Sequence, residues 1–297
     1  MTTQSNAKTS VSLESLPDEL LQPIFETLCP HCYATRDYQH VRAREDGLES
    51  LTLTSKRLRS IALPIMLHVP ENHMSYEGLH KLLDIDPSLG DYIREWELPS
   101  YETDQEVLNP AIKTTRKLLA AVGQDFDLQQ DEDRGLVNLE NSLMAELLMV
   151  RAPKMEKLTL ERFDYNDWPG VDLKYLARRL GKLGDGTGFE NVRQLSVSRP
   201  CRTTTSLTDD HIIALLKVMP KLEQLHLDSI LGFPDNHNFD VTLLKPALRN
   251  LTTLRLQWCT FEGSAPNSHF GALCEMLKHS PSLKSFALSR YNQWRVI

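Results

Sequence analysis

The chain has 297 residues, 41% of them hydrophobic and 25% charged, enough apolar material for one small module and one larger one with its own core. Its 33 basic and 40 acidic side chains leave a formal charge of −7, which argues against a general affinity for nucleic acid. The opening MTTQSNAKTSVS is polar, without a hydrophobic signal region, and no apolar run reaches the roughly 18 residues that span a bilayer. Five scattered cysteines do not form a secreted disulfide framework. The expected location is cytoplasmic or nuclear.

After a tail expected to be disordered over 1–12, LPDELLQPIFETL (16–28) reads as a helix. Pro17 suits a first turn, where its missing N–H costs nothing, and Asp18 and Glu19 sit at the positive end of the helix dipole. Leu20, Leu21, Ile24, Phe25 and Leu28 then stack along one stripe at i, i+1, i+4, i+5 and i+8. Pro23 lies inside this helix, where a proline removes one backbone hydrogen bond at a cost of roughly 3 kcal/mol. Residues 29–47 read as a connecting loop. Leu58, Ile61, Ala62, Ile65 and Met66 form a second stripe. Two or three short helices cannot bury this much apolar surface alone, so part of it is expected to face a partner.

Residues 13–70 resemble the F-box, the helical module that plugs a substrate receptor into the Skp adaptor of an SCF-type ubiquitin ligase. The likeness rests on Leu16 to Leu21 as the Leu-Pro-x-Glu-Leu-Leu opening and on the Ile24–Phe25 pair. Its second half is Ser55, Lys56 and Arg57 leading into Ile61 and Ala62. Departures from the family pattern are Pro23 and the length of 29–47. The resemblance implies an adaptor surface built from Leu16, Pro17, Leu20, Leu21, Ile24, Phe25 and Leu28. From the second half it draws Leu51, Ser55, Leu58, Ile61 and Ala62. It also implies a cullin, reached through the adaptor.

Beyond this module a motif recurs: Met155-x-x-Leu158-x-Leu160, then copies centred on Leu195, Leu225, Leu254 and Phe286, at steps of 37, 30, 29 and 32 residues. A further copy, Ile93-x-x-Trp96-x-Leu98, lies 62 residues before Leu158. Alternation within each copy predicts a short strand with its apolar side chains inward. Helical patterns over Asp210–Met219 and His269–His279 are each followed by a proline, Pro220 or Pro281, before the next strand. The expected fold class is α/β: a small helical F-box, then an irregular leucine-rich-repeat-like solenoid over 71–297 with parallel strands alternating with helices. The likeness is to the irregular repeats of F-box receptors, especially fungal ones. Residues 101–150 interrupt the array with an expected helix from Asn109–Pro110, the acidic loop QQDEDRG and a helix through Leu143 and Leu147. A plain α/β domain with parallel strands is the alternative.

Two motifs invite other chemistry. Cys29-Pro30-His31-Cys32 has the spacing of a dithiol oxidoreductase, but that chemistry needs a helix starting at the motif, and here it follows a helix end. Zinc would draw on Cys29, Cys32 and His40 and would need a fourth ligand from afar; a loop with two plain cysteines is the simpler expectation, with no metal and no cofactor. GKLGDGTG (181–188) lacks the Lys-Ser or Lys-Thr of a phosphate loop. No HExxH or GxSxG spacing occurs, so no enzyme activity is expected.

The expected function is reception: the F-box binds the adaptor and the repeats hold a target protein near a ubiquitin-conjugating enzyme. An F-box protein of a non-ubiquitin assembly and a thiol or zinc protein centred on Cys29 and Cys32 are the alternatives. Residues alternating with the inward leucines must point outward and form the expected target surface. The set is Glu97, Thr159, Glu161, Ser196, Ser198, His226, Asp228, Arg255 and Gln257. Their near-neutral, hydrogen-bonding character suits a protein or peptide better than phosphate backbone. After Leu288 only nine residues remain, too few for a capping helix, so the last strand is expected to be covered by more chain, a partner or a second copy.

Overall fold

The computed structural model describes residues 12–33, 38–70, 73–74, 76–98, 151–161, 189–198, 216–228, 245–259, 274 and 276–290. The expected elements of 101–150, the glycine stretch 181–188 and the helical run before Leu216 lie outside the described residues. The chain divides into two compact units, Met1–Ser75 and Tyr76–Ile297.

In the first unit, a 3-10 turn over Leu13–Ser15, capped by the Ser12 hydroxyl, precedes α1 (Asp18–Glu26). Pro17 stands one place before the first helical residue, with Asp18 and Glu19 in the first turn. Pro23 does not end the helix, since the N–H it lacks would have reached only the carbonyl of solvent-exposed Glu19. The segment read as a loop from 29 to 47 is shorter than expected: α2 spans Tyr38–Thr54 and starts inside it. Its sequence, YQHVRAREDGLESLTLT, carries almost no apolar stripe, which is why periodicity missed it. α3 (Lys56–Met66) opens at Ser55, whose hydroxyl accepts from the Leu58 N–H at 3.3 Å. Leu58, Ala62, Ile65 and Met66 are its buried stripe, as the spacing predicts. Leu58, Ala62 and Ile65 close on Leu21, Phe25, Cys29 and Leu48 to form one core.

The second unit is mixed helix and strand around a six-stranded parallel sheet in sequential order: β1 Glu95–Leu98, β2 Lys157–Glu161, β3 Gln194–Ser198, β4 Gln224–Asp228, β5 Thr253–Cys259 and β6 Ser285–Arg290. The register puts Trp96, Leu158, Leu195, Leu225, Leu254 and Phe286 side by side, so the sequence repeat and the strand pairing coincide. Ahead of β2 to β6 the approach is also repeated. Two successive N–H groups donate to one carbonyl of the preceding copy: Glu156 and Lys157 to Arg94, Arg193 and Gln194 to Glu156, Glu223 and Gln224 to Arg193. Thr252 with Thr253 and Lys284 with Ser285 continue the ladder. Pro153, Pro220 and Pro281 sit in turns four residues before their strands, where no ladder donor is needed. Leu216–Lys217 and Met276–Lys278 are helical, within the two expected helices, and a further short helix occupies Lys245–Leu248.

The start of this unit is held by α4 (Tyr76–Ile85) and a 3-10 segment over Pro87–Tyr92. There Gly90 passes so close to the Arg151 carbonyl that a Cβ would lie 1.8 Å from its oxygen. The Arg151 guanidinium pairs with Asp84 at 2.9 Å, tying the segment just ahead of β2 to the end of α4.

Candidate functional site

The residues expected to bind an adaptor separate into two sets. Leu21, Phe25, Leu58 and Ala62 are at most 1% exposed and belong to the first unit's own core. Placing Phe25 and its three companions on a partner surface is therefore corrected: their apolar area is already out of water. Leu16, Leu28, Leu51 and Ile61 pack partly buried against that core. Pro17, Leu20 and Ile24 remain exposed, at 53% for Leu20 and 43% for Ile24. At i, i+3 and i+7 they share one edge of the α1 stripe, next to the edge formed by Leu21 and Phe25. Leu53, near the end of α2 and off the face that carries Leu48 and Leu51 into the core, is 72% exposed.

Arg57 joins the two halves of the motif. Its Nη1 donates to the Glu14 carbonyl, Nη2 donates to the Leu16 carbonyl at 2.6 Å, and Nε reaches Asp18 Oδ1 at 3.0 Å. The guanidinium thereby fixes the Leu-Pro opening over the start of α3, with its planar fork matched to acceptors in different directions. Spacing alone did not reveal this, since the partners lie 39 to 43 residues away.

On the sheet, alternation is kept. Leu158, Leu160, Leu195, Val197, Leu225, Leu227, Leu254 and Leu256 are at most 2% exposed. Between them Glu97, Thr159, Ser196, His226 and Arg255 align in register as one row across five strands. Thr159, Ser196 and His226 are half-buried and Arg255 is exposed. Glu161 pairs in register with Ser198, and Asp228 with Gln257; the side chains of Glu97, Glu161, Ser198 and Asp228 lie outside the described residues. With its amide oxygen turned toward the guanidinium, Gln257 accepts from Arg255 Nη2 and Nε at 2.6 and 2.7 Å. Lys157 pairs with Glu95 one row away. At the last strand, Phe286 and Leu288 are 42% and 38% exposed.

A groove of about 460 Å³ on the strand approaches is lined by Arg193, Lys221, Glu223, Asn250, Thr252, Ser282 and Lys284. Several of its polar side chains are engaged: Arg193 with Glu223 at 3.2 Å, Lys221 with Asn191 at 2.8 Å, and the Asn250 amide with the Pro220 carbonyl at 3.0 Å. These contacts join neighbouring repeats, and the lining holds no nucleophile beside a base.

Cys29-Pro30-His31-Cys32 forms a turn after α1, closed by the Tyr33 N–H donating to the Cys29 carbonyl at 3.0 Å. No helix begins there to depress a thiol pKa in the dithiol-enzyme manner. His68, two residues past α3, reaches this turn, its Nδ1 3.3 Å from Cys32 Sγ and 3.6 Å from Cys29 Sγ. The sequence pointed to His40 as the imidazole for this turn, whose side chain lies outside the described residues. The structure supplies His68 from the far end of the module. No helix among the described residues is long and apolar enough to cross a membrane. Compared with known proteins, the sequence matches no protein-family model and no curated protein.

Proposed function

We propose that this chain is the substrate receptor of an SCF-type ubiquitin ligase. Its first unit serves as an F-box on the Skp adaptor, and its second serves as an irregular leucine-rich-repeat solenoid that holds a target protein. The observation that carries this reading is the split of α1. One face, Leu21 with Phe25, completes a small core; the other leaves Pro17, Leu20 and Ile24 in water within a motif that resembles an adaptor-binding one. A helix already anchored on one side gains nothing internally from exposed leucine and isoleucine, whereas a partner would desolvate them. The repeat that coincides with strand register supports the solenoid, and the aligned outward row supports target capture on its open face. Catalysis would belong to other subunits; this chain would supply effective concentration.

The test is copurification with the adaptor and a cullin. Leu20→Asp and Ile24→Asp are expected to lose the adaptor while circular dichroism stays unchanged, because an aspartate buried unpaired in an interface costs several kcal/mol. Retention of the adaptor at unchanged affinity by both variants refutes the assigned surface. Copurification of the adaptor without a cullin would instead place the protein in a non-ubiquitin assembly.

A further inference from the structure

We propose that Cys29, Cys32 and His68, with His31 beside them, form a zinc site that staples the end of α1 to the end of α3. The three ligand atoms, two Sγ and one Nδ1, all lie within 4.8 Å of one another. A tetrahedral zinc with Zn–S of about 2.3 Å and Zn–N of about 2.0–2.1 Å has S···N edges of about 3.6 Å. The observed S···N separations, 3.6 Å to Cys29 and 3.3 Å to Cys32, are those of such an edge. His31 stands next to this cluster without belonging to it as placed, and a turn of its ring would let it supply the fourth ligand. Its Nδ1 is 3.8 Å from Cys32 Sγ, and its ring stands edge-on to His68 with centroids 5.4 Å apart.

One imidazole nitrogen either donates one proton or accepts one, yet two sulfurs face the same Nδ1. The Cys29 thiol also lies 3.7 Å from the Ile65 carbonyl, to which it can donate before a metal displaces its proton. A metal between the groups engages both sulfurs and Nδ1 at once. On binding, each cysteine gives its thiol proton to solvent, so two thiolates balance the charge of one Zn²⁺ and the histidines remain neutral.

The setting suits a structural rather than a catalytic ion. Cys29 is 1% exposed within the first unit's core, Cys32 is exposed and His68 half-buried, so one side of the site is packed and the other open to loading. The link joins residues 36 to 39 positions apart. It closes a long stretch of chain in a module of 75 residues, and small cores commonly need such a staple. Two cysteines and two histidines are a donor set that favours zinc over the hard cations.

The experiment uses the full chain, purified without chelator from zinc-supplemented cells, with metal measured by elemental analysis after gel filtration. About one zinc per chain is expected, falling at least ~10-fold in Cys32→Ala and in His68→Ala. Both side chains lie at or near the surface, so these variants keep their helical dichroism even if Cys29→Ala does not. Cobalt reconstitution is expected to give a thiolate-to-metal charge-transfer band that weakens in Cys32→Ala. His31→Ala is expected to weaken zinc binding ~10-fold; binding equal to wild type in that variant removes His31 from the ligand set. A wild-type chain that stays zinc-free after reconstitution with micromolar zinc overturns the proposal. So does stoichiometric zinc that survives both Cys32→Ala and His68→Ala.

Discussion

Leu20 and Leu21 are neighbours of the same type in one helix, yet one is 53% exposed and the other 0%. On the sheet, by contrast, Leu158 and Leu160 are both buried, and Thr159 between them is only half so. The difference is geometric. A strand offers two faces half a turn apart, and once one is sealed every side chain is assigned. A helical stripe at i, i+1, i+4, i+5 and i+8 is wide enough to have two edges, and the neighbouring helices decide which edge becomes core. In the first unit those neighbours are α2 and α3, which draw Leu21 and Phe25 inward and leave Leu20 and Ile24 outside.

The largest test of this contrast lies within α1. Phe25→Asp would put an unpaired carboxylate among Leu21, Leu58 and Ala62, and is expected to cost several kcal/mol, enough to melt the first unit. Leu20→Asp is expected to change stability by no more than about 0.5 kcal/mol. Chemical denaturation followed by helical dichroism separates the two. Similar losses in both variants would mean that the stripe has only one face.

The sheet permits the same comparison between its centre and its edge. Leu225→Ala removes a fully buried side chain between two strands and is expected to cost about 2–5 kcal/mol. Leu288→Ala, at a residue 38% exposed on β6, is expected to cost less than half of that. Equal losses would show that β6 is covered in solution.

These contrasts also mark how far the sequence could be read. The strand positions and their register followed from the Leu-x-Leu repeat, because the same alternation that sets a strand's faces also aligns it with its neighbour. α3 was legible from its stripe and from Ser55 before it. α2 was not, since YQHVRAREDGLESLTLT gives no periodic signal and is made helical by packing through Leu48 and Leu51. The Cys29–Cys32 turn was visible as a motif, but its third member was not. His68 is brought to it by the return of α3 alongside α1, a tertiary fact that local spacing does not encode.

A smaller effect is expected on the outward row. The double change His226→Ala with Arg255→Ala removes two adjacent cross-strand side chains and the Arg255–Gln257 contact while leaving the buried leucines of both strands in place. Target capture by pull-down under proteasome inhibition is expected to fall roughly 10-fold, a typical size for interface side chains. Adaptor binding and the melting temperature should stay as they are. Capture that survives this change and similar ones along the row would move recognition to the loops or to 101–150.

The smallest effect concerns pH and the first unit alone. His73 lies in a turn where its N–H donates to the Pro70 carbonyl at 3.0 Å, and its Nε2 is buried with no hydrogen-bond partner among the described residues. Burial pushes its pKa below the ordinary 6.5, with the Asp46 carboxylate opposing part of the shift. The folded state therefore keeps this imidazole neutral at pH values where the unfolded chain already binds a proton. It follows that the contribution of His73 is unchanged above the ordinary pKa of 6.5 and turns unfavourable as pH falls through it toward the lowered folded value. Other histidines lie in the same unit, so the informative quantity is a difference between two chains. Melting temperatures of wild type and His73→Phe, compared from about pH 7.5 down to about pH 5, are expected to diverge in favour of the variant as acid is added. Parallel curves would mean that water reaches Nε2 and that His73 titrates alike in the folded and unfolded chains.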